Sequence, residues 1–213
     1  MNVVFDFGAV LFEWQPAERV ARHFPALAAT QAQAQALAQA IFHHADWQDF
    51  DRGLLPLAQV VESTAARLSL AHHEVHELLA PIGEQLQPIS ANVEVLESLA
   101  RRRALQGDVK LYFLSNMPEP FARVLERRHA FLELFDGGVF SGDVKLGKPD
   151  AAIYRLLADR HGLAPEQTLF IDDMPVNVTA AQALGWRGIC LSQPEQLADQ
   201  IQRHLAKLRA LDV

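Results

Sequence analysis

Three apolar runs in this chain end on acidic or hydroxyl residues, and that recurrence narrows the possible folds more than any other feature. Val3-Val4-Phe5 leads into Asp6, Val109 to Leu114 leads into Ser115 and Asn116, and Leu169-Phe170-Ile171 leads into Asp172 and Asp173. Uninterrupted apolar runs of this length suit strands buried on both faces, as in parallel sheets. Helical patterns separate them: Ser90 is expected to cap a helix bearing Val93, Leu96 and Leu99 that Gly107 closes. Further helices are expected from Pro118 to about Arg128, from an Asp150 cap to Gly162, and from Pro175 to Leu184. Gly188 to Leu191 reads as a last buried strand and Pro194 to Leu211 as a final amphipathic helix. Strands alternating with helices predict an α/β fold with a mostly parallel sheet flanked by helices. Ligands of such sheets gather at the carboxyl ends of the strands. Asp6, Ser115 and the Asp172/Asp173 pair are therefore expected around one crevice. Each could singly be a helix cap or a hydrated loop end. Together, adjacent aspartates beside Asp6 would repel one another unless a cation, a lysine or protonation offset their charge.

The segment after the first strand, Asn2 to Phe7, does not join the alternation. From about Pro16 to Leu86 the pattern is helical throughout. The Ala/Gln-rich stretch from Thr30 to Ala40 resembles low complexity, yet both residue types favour helix, and an ordered helix is expected. Pro56 can start another helix, and Val75, Leu78, Leu79, Ile82 and Leu86 form an apolar stripe bent near Pro81. The expected division is a core of residues 1–14 and 89–213 with an all-helical cap of residues 15–88 inserted in it.

Charge and composition exclude several classes. The net charge of -7 argues against a broad nucleic-acid surface, which needs clustered basic groups. The inserted segment carries eight acidic residues against four Lys/Arg, so it offers no platform for a polyanion. It also holds His23, His43, His44, His72, His73 and His76, whose spacing makes no zinc site, and they read as helix-surface residues. Cys190, the single cysteine, reads as a buried thiol in the last strand. No apolar stretch approaches the roughly 20 residues that cross a bilayer. Asp6 interrupts the apolar start, which has no basic lead and so makes a poor secretion signal. The expectation is a cytoplasmic protein without nucleic-acid or membrane partners, a monomer or weak homodimer.

This order of elements resembles the haloacid dehalogenase-like superfamily, most of whose members are phosphatases. The resemblance rests on FDFGAVLF around Asp6, LSN around Ser115, GKPD around Lys148, and IDDMPVN with Asp172, Asp173 and Asn177. It spans nearly the whole chain, and order and spacing make the combined motifs specific where each alone is short. It implies a Rossmann-like core and a helical cap between the first two motifs. It also implies a nucleophilic Asp6, a hydroxyl donor in Ser115 and a neutralising Lys148, which the Gly-Lys-Pro setting favours over Lys145. Asn116 and backbone N–H groups near residues 7–9 would add donors to a phosphoryl group. Magnesium prefers oxygen ligands in octahedral geometry. Asp6, the Gly8 carbonyl, Asp172 and Asp173 are its expected holders. Asn177 reads equally as a hydrogen-bonding support and as ordinary helix-start polarity.

Gly8 departs from the pattern. The superfamily usually has Asp here, to protonate the leaving group and later activate water, and such assistance is worth about 100- to 10,000-fold. Some phosphatases of the superfamily, including a bacterial group acting on sugar phosphates, resemble this chain in carrying Gly there. Asp51-Arg52-Gly53 resembles an acidic-x-Gly loop that faces the active site in capped relatives, with Asp51 or Arg52 expected at the substrate. Trp14, at the junction of core and insertion, is expected to pack as a hinge residue more than to recognise a ligand. The preferred reading is a magnesium-dependent phosphatase for a small phosphorylated metabolite, a sugar phosphate first. One alternative is a 2-haloacid dehalogenase, whose chemistry needs no metal and against which the paired aspartates argue. The other is a phosphate- or partner-binding protein that has lost catalysis.

Overall fold

The computed structural model describes the backbone of residues 1–209 and the side chains of residues 1–204. Strand β1 (Asn2–Phe5) is followed by helices α1 (Pro16–His23), α2 (Gln31–Phe42), α3 (Ala45–Asp51), α4 (Leu57–Leu68), α5 (His72–Leu79) and the single turn α6 (Ile82–Gln85). The remainder alternates: α7 (Ser90–Gln106), β2 (Lys110–Ser115), α8 (Glu119–Arg128), β3 (Gly137–Phe140), α9 (Ser141–Val144) and α10 (Ala151–His161). It ends with β4 (Thr168–Asp172), α11 (Pro175–Ala183), β5 (Arg187–Cys190) and α12 (Leu197–Arg209). The expected last helix thus opens as a 3-10 turn at Pro194–Gln196, and its residues from 210 on lie outside the described residues.

The five strands lie in the order β3-β2-β1-β4-β5, each pair parallel. β1 sits at the centre, with Phe5 level with Phe113 on one side and Ile171 on the other. Val3, Val4 and Phe5 have no exposed surface, as a strand covered on both faces requires. Val4, Tyr112, Leu114 and Phe170 pack with Tyr154 and Trp186 in a layer on one face. On the other face Val3, Phe5 and Leu111 belong to a larger apolar cluster that runs on into the inserted helices through Val20, Ile41, Val61 and Leu79.

Local chemistry explains where the elements begin and end. The Thr30 hydroxyl accepts from the Gln33 amide while the Gln33 side chain accepts from the Thr30 amide, a reciprocal cap that starts the Ala/Gln-rich helix. Asp150 accepts from the Ala152 amide and starts α10. Ser90, however, is not a cap: it is the first helical residue after Ile89, which makes no side-chain bond. Asn92 secures this helix instead, donating its buried amide to the Val10 carbonyl at 2.6 Å. β1 is two residues shorter than expected because the Phe7 carbonyl accepts from the amides of Val10, Leu11 and Phe12, folding the chain back directly after the strand. Cys190 is exposed, not buried: it ends β5 on the sheet edge, with its thiol 3.6 Å from the Asp173 carbonyl. No helix among the described residues is long and apolar enough to cross a membrane.

Candidate active site

Parallel strands in register end along one edge, and this edge carries the polar residues. Asp6 lies one residue beyond β1, its amide still donating to the Ile171 carbonyl at 2.9 Å and so held in line with β4. Ser115 ends β2 and Asp172 ends β4. Lys148 arrives from the loop between α9 and α10, and its ammonium lies 2.9 Å from Asp6 Oδ1 and 2.6 Å from Asp172 Oδ2. All four are buried. The sequence positions 6, 115, 148 and 172 therefore meet at one point, with Asp173 beside them.

The neighbours fix each group. The Phe7 amide donates to Asp6 Oδ1 at 2.7 Å. The Met174 amide donates to Asp172 Oδ1 at 2.8 Å, and the Asn177 amide group donates to both Asp172 oxygens at 3.0 and 3.2 Å. Asn177 is thereby a support for Asp172. Asn116 grips the lysine loop at both ends of its side chain: its carbonyl accepts from the Lys148 amide at 2.8 Å and its NH₂ donates to the Lys148 carbonyl at 3.0 Å. Expected as a substrate donor, Asn116 lines a cavity together with Asp6 and Lys148 and also holds the Lys148 backbone in place.

Charge is unbalanced here. Carboxylate oxygens of Asp6, Asp172 and Asp173 all lie within 4.8 Å of one another, with Lys148 as the cation paired to two of them. Burial pushes the Asp6 carboxyl up to about 6, opposed by Lys148 and reinforced by Asp172. Asp173 is pushed up to about 7 by burial and by the charges of Asp6 and Asp172. Burial disfavours the Lys148 charge, but Asp172 and Asp6 outweigh it and raise its pKa. Three close carboxylates made of hard oxygen donors, with too little positive charge to satisfy them, fit a magnesium ion.

Asp6, Ser115, Lys148 and Asp173 form the floor of a cavity of about 450 Å³ that Gly8 also lines, with Asp172 fully buried behind them. The side chain that Gly8 lacks would meet Trp14, whose atoms stand 3.7 to 3.9 Å from where a Cβ would lie. The opposite wall comes from the inserted helices and α8: Phe42, Trp47, Ile82, Leu86 and Phe121, with Trp14 between wall and floor. The aromatic rings pack edge to face, Trp14 on Phe42 at 5.2 Å between centroids and Phe42 on Trp47 at 4.9 Å. Met174 and Val176, 39% and 52% exposed, continue this apolar surface to the rim.

Asp51 and Arg52, at the end of α3, also line the cavity. Gly53 has φ +65°, and a Cβ there would lie 2.6 Å from the Gly142 carbonyl oxygen, so the turn and the close approach both require glycine. The Ser141 hydroxyl donates to the Asp51 carbonyl and accepts from the Met117 amide at 2.8 Å, tying this corner to the sheet edge. The Asp51 carboxyl is pushed well above the usual carboxylate range, first by burial and then by the charge of Asp6. Arg52 pairs with Asp49 at 2.5 Å and lines the cavity with part of its surface exposed. His44, read as a surface residue, instead starts α3 by accepting from the Asp46 amide at 3.2 Å. The aromatic wall was missed from the sequence because apolar residues at helical spacing read as core. Its only signal is the crowding of Phe42, Trp47 and Phe50 around the end of α2 and in α3.

The chain belongs to the haloacid dehalogenase-like hydrolases, whose family model matches residues 2–185. It is 29% identical over 189 residues to the sesquiterpene phosphatase AstK of Aspergillus oryzae, covering 89% of this chain and 88% of that protein. It is 28% identical over 206 residues to the drimenol cyclase DrtB of Aspergillus calidoustus, covering 97% of this chain but only 36% of that longer protein. Among solved structures, a predicted HAD-like family hydrolase from Porphyromonas gingivalis superposes with a TM-score of 0.69 at 23% identity, covering 96% of this chain and 97% of that one. A HAD family enzyme from Bacteroides thetaiotaomicron, solved with magnesium and inorganic phosphate, superposes with a TM-score of 0.66 at 19% identity, covering 88% and 92%. These two structures share the fold.

Proposed function

We propose that this hydrolase is a magnesium-dependent phosphatase that uses Asp6 as nucleophile on the monophosphate of a small, largely apolar alcohol. The observation that carries it is one cavity with two unlike walls: buried carboxylates and a lysine on the sheet edge, aromatic rings on the helices. A phosphoryl group belongs on the first and an apolar organic group on the second. Asp6, Asp172, Asp173 and the Gly8 carbonyl would hold Mg²⁺, which when bound offsets the negative charge of the phosphoryl group and the carboxylates.

Asp6 needs no deprotonation above its raised pKa to attack phosphorus in line with the leaving oxygen, giving an aspartyl-phosphate that water then hydrolyses. Lys148 neutralises charge on Asp6 and on the transferring group, and Ser115 donates to a phosphoryl oxygen. Residues 15–88 act as a cap that excludes bulk water and selects the organic part.

The aromatic wall favours an apolar group over the sugar expected from sequence, because Trp14, Phe42, Trp47 and Phe121 offer area for apolar burial and few partners for hydroxyls set against them. A volume of about 450 Å³ lies within the range of small-molecule sites, roughly 300 to 1,000 Å³. The likeness to a sesquiterpene phosphatase supports the same choice. The test is a panel of isoprenyl, alkyl and sugar monophosphates assayed with and without Mg²⁺, with Asp6→Asn alongside. Turnover of the apolar esters that needs Mg²⁺ and falls by about 10,000-fold or more in Asp6→Asn is expected. Turnover retained in Asp6→Asn would remove the nucleophile from the scheme, and preference for sugar phosphates would remove the apolar substrate.

A further inference from the structure

Gly8 leaves the proposed reaction without a group to protonate the leaving oxygen, and the structure shows what stands over the site in its place. We propose that Asp51, delivered by the end of α3, is the catalytic proton donor to the leaving alcohol. This rests on the phosphatase reading above and supplies a role that it leaves unfilled.

Elimination among the groups lining the cavity leads there first. Gly8 carries no side chain, so the proton cannot come from the usual position. Lys148 is bound between Asp6 and Asp172, and Asp173 belongs to the acidic cluster suited to the cation. Arg52 is engaged in an ion pair with Asp49. Gln48 has no acidic proton, and His43 is an exposed residue closing α2. Asp150 is exposed, and its carboxylate accepts from the Ala152 amide to cap α10. That leaves Asp51, which lines the same cavity, lies outside the Asp6-Asp172-Asp173 cluster, and comes from the wall that would face the organic group.

Placement supports the role independently. In-line attack requires Asp6 and the leaving oxygen on opposite sides of phosphorus. With Asp6 on the floor, the leaving oxygen points toward the inserted helices, where Asp51 lies. The Ser141 hydroxyl on the Asp51 carbonyl and the glycine-to-glycine approach of Gly53 and Gly142 hold that residue against the sheet edge. A general acid must be carried on a fixed backbone to stay within reach of its oxygen, and these contacts fix the backbone of Asp51. Burial also favours its protonated form.

The step balances. An Asp6 oxygen forms the bond to phosphorus as the bond to the ester oxygen breaks. That oxygen keeps the bonding electron pair and takes the Asp51 proton, so that ROH and the Asp51 carboxylate result. The carboxylate recovers a proton from the water that then attacks the aspartyl-phosphate, and inorganic phosphate leaves.

The test compares wild type, Asp51→Asn and Asp51→Glu on an alkyl phosphate and on p-nitrophenyl phosphate, with Mg²⁺ present. The quantity read is kcat/KM, which reports only steps up to alcohol release. A strongly basic alkoxide needs the proton and p-nitrophenolate does not. Asp51→Asn is expected to lower kcat/KM on the alkyl ester by about 100- to 10,000-fold while changing the aryl ester by less than about threefold. Asp51→Glu should recover part of the alkyl loss. The aryl activity certifies that each variant is folded. Equal losses on both esters, or no loss on either, would overturn the proposal. Wild type that hydrolyses neither ester would remove the phosphatase reading itself, a result distinct from both.

Discussion

The two walls of the cavity are built by opposite rules. On the sheet edge, Asp6, Lys148 and Asp172 are buried charges locked by short polar contacts, and the two carboxylates sustain the Lys148 charge against burial. On the helical side, Phe42 meets Trp47 edge to face and Trp47 meets Phe121 at a tilt, apolar contacts that tolerate exchange of one apolar shape for another. The first wall is suited to one chemical operation, the second to a choice among organic groups. In the proposed phosphatase this difference gives chemistry to the sheet edge and selection to the apolar wall, and it can be broken from either side.

The largest effect should come from Lys148→Met. Removing one member of a buried ion pair leaves the others uncompensated and typically costs about 3 to 5 kcal/mol. Loss of a charge that stabilises the transferring phosphoryl group costs about 100- to 1,000-fold in kcat. Chemical denaturation and steady-state kinetics on the same sample should show both losses, with the rate loss equal for apolar and polar phosphate esters. A rate loss confined to one class of ester would mean that the sheet edge also selects.

The next effect concerns magnesium and pH. The raised pKa values of Asp6 and Asp173, about 6 and about 7, mean that the metal-free native state holds protons that the unfolded chain has released above about pH 4. Between those limits the native state binds more protons, so these two groups lower stability as pH rises through 6 and 7. Magnesium needs the same carboxylates charged, so its stabilisation is largest above pH 7 and fades as pH falls through that window. At a free concentration of 100 times Kd, binding adds about 2.7 kcal/mol, or on the order of 5 to 10 °C in Tm for a chain of this size. Thermal melts at pH 8 and pH 5.5, with and without Mg²⁺, should show the larger increment at pH 8. An increment independent of pH would place the ion elsewhere.

The sheet-edge wall was legible in the sequence because its signal is local. A charged or hydroxyl residue at the end of an apolar run is conspicuous, and parallel topology brings such ends together whatever their separation. Asp6, Ser115 and Asp172 were found that way, whereas Lys148, on a loop, was reached through the resemblance carried by Gly-Lys-Pro. The helical wall was not legible. Trp47 and Phe121 are 6% and 4% exposed, and nothing in their spacing tells a residue that packs on a neighbour from one that packs on a ligand. Asn116 shows the same limit for polar residues: its position beside Ser115 suggested a phosphate donor, and only coordinates show both ends of its amide turned to the Lys148 backbone. Cys190 was misjudged because Gly188 to Leu191 has the composition of a central strand, while its place at the sheet edge depends on strand order.

The smallest effect tests the selective wall where stability is least involved. Met174 and Val176 are exposed at the cavity rim, so Met174→Ser and Val176→Ser should each change stability by no more than about 0.5 kcal/mol. Burial of an apolar group against them contributes about 25 cal/mol per Å², so losing some tens of Å² of contact costs about 1 kcal/mol, or about fivefold in binding. KM for an isoprenyl phosphate should rise by about that factor with kcat unchanged, because contact with a remote group made equally in ground and transition states is uniform binding. KM for a short phosphate ester that cannot reach the rim should not move. A fall in kcat for both esters would mean that the rim acts through Asp172, whose carboxylate accepts from the Met174 amide. Selection and chemistry would then be coupled across the two walls.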